Sequence, residues 1–219
     1  MIAPRREAWR RNGKARFTTL FTKARWVSLE SASGPGSDRD SECVTHAIAV
    51  LAMVARDFDI RSLADLPCGD FNWMSLFLED HPEIDYVGYD IVDELVAQNR
   101  AANPHRRFQV LDITADTPPP ADLMFSKDLV NHLFERDVWS ALHNMAASGS
   151  RYLMITSNDG HANAELELLT PRSSRHLDLS AWPYLLAEPV YADGYLSMWR
   201  TEDVAARLAA VNAGGQTRG

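Results

Sequence analysis

The sequence is short of what several function classes require. Its 219 residues include only two cysteines, Cys43 and Cys68, which give neither a disulfide framework nor a metal-ligand spacing. No apolar run approaches the roughly 20 residues of a membrane span, and the N-terminus lacks the apolar core of a secretory signal. Basic residues are scarce after the first 25 positions. Eight of the 22 Arg and Lys stand in that arm against a single Glu7, which leaves 14 basic and 29 acidic residues in the remainder. An acidic body argues against a nucleic-acid substrate, because such binding relies on phosphate neutralisation. The arm itself reads as a transit peptide, a nucleic-acid contact, a tail that docks on its own acidic domain, or a first helix. With 46% hydrophobic and 24% charged residues over its full length, the chain fits one soluble globular domain, expected over 26–219, in a reducing cytoplasm.

The organising stretch is Leu63-Ala-Asp-Leu-Pro-Cys-Gly-Asp-Phe-Asn-Trp-Met74. A short apolar run ends in Asp65, a tight segment follows, and an amphipathic run starts at Trp73, so the pattern predicts a strand, a sharp turn and a helix start. Gly69 lets the backbone approach a ligand where a side chain would block it, and the helix N-terminus offers unpaired N–H groups. A second strand, Tyr86–Ile91, carries Asp90 near its end. A glycine turn after one strand and a carboxylate after the next is a layout for binding a nucleoside cofactor. The turn is also short of glycine. A dinucleotide fingerprint needs three, and the positions here read Pro67, Gly69 and Phe71, which leaves little room for a diphosphate.

The flanking chain alternates strands and helices. Trp26 to Ser37 is a Ser/Gly/Pro-rich loop, and a helix runs from about Asp38 to Asp57 with Ser37 or Asp38 as its N-cap. Further expected elements are a strand at Ser62–Leu66, a helix at Asn72–Glu79, a helix at Val92–Asn103 and a strand at Arg107–Ile113. They are followed by a strand at Ala121–Ser126, a helix at Glu135–Ala147 closed by Gly149, and a strand at Arg151–Thr156. Residues 157–187 show no strong periodicity. Asp193-Gly194 then divides two β-prone runs, Glu188–Tyr191 and Tyr195–Trp199, as in a hairpin, and Thr201 starts a last helix to about Val211. This alternation predicts a mostly parallel sheet between helices, completed to seven strands by the antiparallel hairpin. Asp65, Asp90, Asp112 and Lys127-Asp128 fall at successive strand tips, where ligands of open α/β sheets bind. Carboxylates so gathered repel one another unless a ligand rich in donors lies among them.

The turn resembles motif I of the class I S-adenosylmethionine-dependent methyltransferases, and is closer still to a bacterial branch reading Asp-x-Pro-Cys-Gly-Asp-Phe-x-Trp-Met. That branch also carries a Trp…Glu-Ser-x-Ser-Gly-x-Gly-Ser segment ahead of the motif, matched here from Trp26 to Ser37. The resemblance, covering about Trp26 to Trp199, implies a Rossmann-like seven-stranded fold with helices on both faces. It implies S-adenosylmethionine as cofactor, S-adenosylhomocysteine as product, and no metal. Asp90 would then receive the ribose hydroxyls, and Asp112 the adenine amine beside the Ile113 N–H. Asp65 and Gly69 would lie against the methionine moiety. Pro67, Cys68, Asn72, Trp73, Ile91 and Lys127 complete the expected cofactor set, and 26–37 forms a lid through Trp26, Ser33, Gly34 and Ser37.

The branch usually reads Arg-Asp-x-x-x-His-Leu after the fourth strand. Here Lys127 replaces the Arg, keeping the charge and losing the planar fork. His132 lies four residues beyond Asp128, so a helix starting there would turn both toward the cleft. His132 is the expected base for an in-line methyl transfer and Asp128 its orienter or a cofactor contact. In the acceptor-side loop, 157–187, Arg172, Arg175, His176 and Asn158 are candidates for holding an anionic or polar acceptor, with Asp178 in place of the branch's Asn. The branch association makes the acceptor a small molecule, a sugar hydroxyl or natural-product intermediate. A homodimer stays open. The competing readings are a non-catalytic methyltransferase-like subunit and, less favoured, a nucleotide-cofactor oxidoreductase.

Overall fold

Apolar runs of four to six residues alternate with amphipathic helices along most of the chain, and the computed structural model, which describes residues 12–23, 28–170 and 172–215, turns that alternation into one sheet. Its strands are β1 (Ser62–Asp65), β2 (Asp85–Asp90), β3 (Arg107–Val110), β4 (Leu123–Ser126), β5 (Tyr152–Thr156), β6 (Tyr191–Ala192) and β7 (Leu196–Arg200), in the order β3-β2-β1-β4-β5-β7-β6. β1, β2 and β3 pair in parallel, as do β4 and β5, while β7 runs antiparallel to β5 and β6. The expected seven-stranded, mostly parallel sheet with a closing hairpin is therefore present. The helices are α1 (Gly13–Thr22), α2 (Glu42–Asp57), α3 (Met74–Asp80), α4 (Asp93–Ala102), α5 (Glu135–Ala147) and α6 (Thr201–Gly215). Among the described residues, no helix is long and apolar enough to cross a membrane. The chain divides into two compact units, the first formed by residues up to Asp112 with Glu167–Ser173, the second by Ile113–Leu166 and the residues from Ser174 on.

In the first unit, α2 buries Val44, Ala47, Val50, Leu51 and Val54, a stripe at helical spacing. It starts four residues later than the sequence suggests, because Ser41, not Ser37 or Asp38, accepts the Val44 N–H as N-cap. Asp38 is occupied elsewhere, by the Ser28 hydroxyl and the Ser31 N–H. Tyr86 of β2, Phe108 of β3 and Phe71 form an aromatic cluster with ring centroids 5.0–6.0 Å apart, a geometry worth ~0.5–1.5 kcal/mol per pair beyond burial. Gly88 makes room for it: a Cβ there would come within 2.8 Å of both the Phe108 ring and the Tyr86 hydroxyl. Helix α1 forms within the basic arm, and its Lys14 pairs with Asp93 at 2.5 Å. Both side chains are about half exposed, so the pair contributes ~1 kcal/mol or less.

In the second unit, α5 has the predicted limits and buries Val138, Ala141, Leu142 and Met145. Leu153, Met154 and Ile155 of β5 and Leu196, Met198 and Trp199 of β7 are fully buried, each contributing ~1.5–3 kcal/mol. The hairpin turns on Asp193, whose carboxylate accepts the Tyr195 and Leu196 N–H groups at 2.9 and 2.7 Å. Among the described residues, no helix or strand forms between β5 and β6. That long loop is held by Ser157 accepting the Leu179 N–H and by Asn163 bridging Asp178 and Trp182.

Candidate active site

β1 ends at Asp65, whose buried carboxylate accepts the Tyr86 hydroxyl at 2.8 Å. The turn beyond it is tied to β2 and α4 by its backbone. The Cys68 N–H donates to the Tyr89 carbonyl at 2.8 Å, and the Gly69 N–H donates to Asp90 Oδ2 at 3.2 Å. The buried Asn99 of α4 donates to the Gly69 carbonyl at 2.7 Å. Gly69 has φ +53° and Phe71 φ +59°. The second value is uncommon for a side chain of this size, and it drops the Phe71 ring into the aromatic cluster. Asp90 also accepts the Val92 N–H at 3.0 Å. Burial pushes its carboxyl up to about 6, against the pull of these N–H donors, and the charge of Asp70 adds to the rise. Burial, then Asp90 and Asp65, likewise raise the Cys68 thiol well above its usual range, which makes it an unreactive packing group. Asp112 stands half-buried just past β3 on a segment fastened by the Leu111 N–H to the Asp90 carbonyl, at 2.9 Å. Trp73 is buried ahead of α3, while Pro67 and Ile91 are partly exposed.

The loop of residues 28–37 lies directly on this turn. A Cβ at Gly69 would meet Ser33 Oγ at 2.2 Å, so the close approach that requires glycine here is made by the chain itself. Ser33 Oγ accepts the Asp70 N–H at 3.2 Å, and Asn72 donates to Glu30 and to the Ser37 carbonyl at 2.7 and 3.1 Å. Gly34, at φ +102°, turns the loop toward Ser37. Trp26 lies outside the described residues.

In the second unit, Lys127 and Asp128 follow β4. The Lys127 ammonium is 8% exposed as a residue and pairs with Asp128 at 2.7 Å. Asp128 takes φ +57°, and its carboxylate accepts the Tyr195 hydroxyl at 2.8 and 3.0 Å. Its N–H donates to Thr156 Oγ1 at 2.8 Å. The ends of β4 and β5 and the start of β7 thus converge on one carboxylate. The expected one-turn α-helix from Asp128 to His132 does not form. The left-handed Asp128 interrupts it, and His132 closes a 3-10 turn over Val130–His132 instead. Ile113 is buried, its carbonyl accepting from Asn144 at 2.7 Å.

The acceptor-side candidates are divided between the two units. Arg172 is exposed and belongs with the first unit, Arg175 with the second. The largely buried Arg175 donates to the Leu133 carbonyl and stands 3.9 Å from Glu165. His176 stacks on His161 at 4.5 Å. Asn158 is buried, accepting from the Leu177 N–H at 3.2 Å and from Asn131 at 3.3 Å. Asp178 caps the loop through the Gly160 and Ser180 N–H groups. Among the described residues, no three His, Cys, Asp or Glu are grouped to hold a metal ion.

A solved structure of a Burkholderia thailandensis 1,6-didemethyltoxoflavin-N1-methyltransferase, with its toxoflavin precursor and S-adenosylhomocysteine bound, superposes with a TM-score of 0.61. The match spans 91% of this chain and 92% of that one at 14% identity. The fold is that of the class I S-adenosylmethionine-dependent methyltransferases. The same methyltransferase fold is shared with the magnesium protoporphyrin IX methyltransferase of Synechocystis PCC 6803, at a TM-score of 0.51 over 71% of this chain and 80% of that one, with 12% identity. In sequence, a trans-aconitate 2-methyltransferase from Azoarcus sp. is 27% identical over 165 residues, 69% of this chain. The match spans 64% of that relative's length, under two-thirds of it. No protein-family model matches.

Within this methyltransferase fold, four residues near the candidates carry little signal in the sequence. Asp70 stands inside the turn motif yet reads as an ordinary surface acid. Asn99 and Thr156 are unremarkable in a helix and a strand. Tyr195 follows the hairpin turn, and only the folded sheet brings it to Asp128.

Proposed function

We propose that the chain is an S-adenosylmethionine-dependent methyltransferase that methylates a small polar acceptor, a sugar hydroxyl or small natural-product intermediate. The observation that carries this reading is Asp90, a buried carboxylate at the tip of β2 bonded to the Gly69 turn, in a sheet of methyltransferase topology. The residues fit the cofactor chemically. Asp65, Asp90 and Asp112 offer acceptors to a ligand of hydroxyls, an amine and a cationic sulfonium, and a turn with one glycine suits a ligand without a diphosphate. When bound, that cofactor supplies an electrophilic methyl group on sulfur. Asp90 keeps lone-pair capacity beyond its backbone N–H donors for the ribose hydroxyls, Asp112 and the Ile113 N–H take the adenine, and Asp65 lies toward the methionine end. Residues 28–37 act as a lid.

On the acceptor side, His132 takes the proton of the attacking group, while Asp128, held by Tyr195 and Thr156 rather than paired with His132, serves as a cofactor contact. Arg175, His176 and Asn158 serve the acceptor's polar end, and Arg172 is a further candidate for an anionic acceptor. The named small molecules of two similar proteins, trans-aconitate and 1,6-didemethyltoxoflavin, favour a small acceptor over a macromolecule. Calorimetry with S-adenosylhomocysteine tests the cofactor half, and absence of heat on folded protein refutes it. Screening acceptors for the mass gain of one methyl group, with wild type and His132→Ala side by side, tests the rest. An unchanged rate in the variant removes His132 as the base.

A further inference from the structure

We infer that Asp70 is a positioning residue that fastens residues 28–37 over the Gly69 turn and thereby sets how fast the adenosine cofactor leaves. This rests on the methyltransferase reading. One carboxylate collects three of the loop's donors: the Ser31 hydroxyl at 3.0 and 3.2 Å, the Ala32 N–H at 2.6 Å and the Ser33 hydroxyl at 3.4 Å. The Asp70 N–H in turn donates to Ser33 Oγ at 3.2 Å, and the Ser33 N–H donates to Ser31 Oγ at 3.0 Å. A second tie runs through Asn72, which donates to Glu30 and the Ser37 carbonyl while accepting from Arg39.

Apolar burial adds little to this hold. The loop's one large apolar side chain, Leu29, is fully exposed, whereas Ser31 is 2% exposed. A segment latched by hydrogen bonds to one charged acceptor, with little buried apolar surface, opens at far lower free-energy cost than the core. The latch sits where it matters, since Ser33 Oγ occupies the space above Gly69 Cα, the point at which the cofactor's amino-acid end is placed. The loop must shift to admit a ligand and re-form its bonds to retain it.

The test uses the full chain and S-adenosylhomocysteine, with association and release followed by stopped-flow fluorescence. Asp70→Ala should raise the release rate about tenfold, the equivalent of ~1.4 kcal/mol, without slowing association. Asp70→Asn, which keeps one acceptor oxygen, should fall between. A Ser31→Ala/Ser33→Ala double variant keeps the Asp70 carboxylate, removes the hydroxyl ties to it and should also speed release, which covers the case that Asp70→Ala fails to fold. Hydrogen exchange at the Ala32 and Ser33 amides should quicken in each variant while the β1 and β2 amides keep their protection. Wild-type release rates in the folded variants overturn the inference alone. Absence of wild-type binding overturns the methyltransferase reading and this inference with it.

Discussion

Replacing Asp90 by Asn removes a buried acid whose ionisation the fold opposes. The carboxyl is 7% exposed and pushed from 3.8 up to about 6 by burial, because the Gly69 and Val92 N–H donors recover only part of its hydration. A displacement of about two pH units corresponds to ~3 kcal/mol between the protonated and charged forms of the folded protein. In the unfolded chain the acid titrates near 3.8, so the folded state holds the extra proton between 3.8 and about 6. The stability linked to that proton is fully present below the unfolded value and is lost as pH rises through the folded one. An Asn side chain does not titrate. Unfolding free energies from urea denaturation at a series of pH values should therefore shift in favour of Asp90→Asn by ~3 kcal/mol between about pH 3.5 and about pH 7, then stay level. An offset of ~1–2 kcal/mol against the variant, from an amide NH2 facing one backbone N–H, applies at every pH and leaves the slope intact. A difference between the two proteins that does not change with pH over that span refutes the reasoning.

Tyr86→Phe leaves the buried Asp65 carboxylate without the hydroxyl donor it has at 2.8 Å, and thermal denaturation should show a loss of ~1–3 kcal/mol. Gly69→Ala places a Cβ 2.2 Å from Ser33 Oγ at φ +53°. The backbone term alone costs ~1–2 kcal/mol, and proteolysis at the displaced loop should quicken. Alkylation of the native protein near pH 8, read by peptide mass, should label the exposed Cys43 and spare Cys68, which is buried with its thiol raised. Equal labelling would mean that the turn opens in solution.

Where local pattern and tertiary packing agree, the fold is legible in the residues. The spacing of Val138, Ala141, Leu142 and Met145, with Gly149 beyond, gives α5 its limits, and Asp193-Gly194 locates the hairpin. Where several residues compete for one local role, packing decides. Ser37, Asp38 and Ser41 are all good caps, and Asp38 is withdrawn by its bonds to Ser28 and Ser31. The strand-tip acids follow from the βα alternation, so Asp65 and Asp90 stand where they are expected. The pairing of Asp128 with His132 assumed a helix that the left-handed Asp128 prevents. The polar residues of the long loop carry an ambiguity that composition cannot resolve. Asn158 and Asp178 satisfy backbone groups that no helix or strand serves, and a ligand-binding role asks for the same side chains.

The sheet ends in two stubs. β3 has four residues and β6 two, and the Phe108 carbonyl of β3 already accepts Arg100 Nε at 2.8 Å. Neither margin gives a neighbouring molecule a long ladder on which to template, so edge-to-edge stacking and fibre growth are disfavoured. Two copies of this protein that associate are therefore expected to meet through side-chain surfaces rather than by extending the sheet.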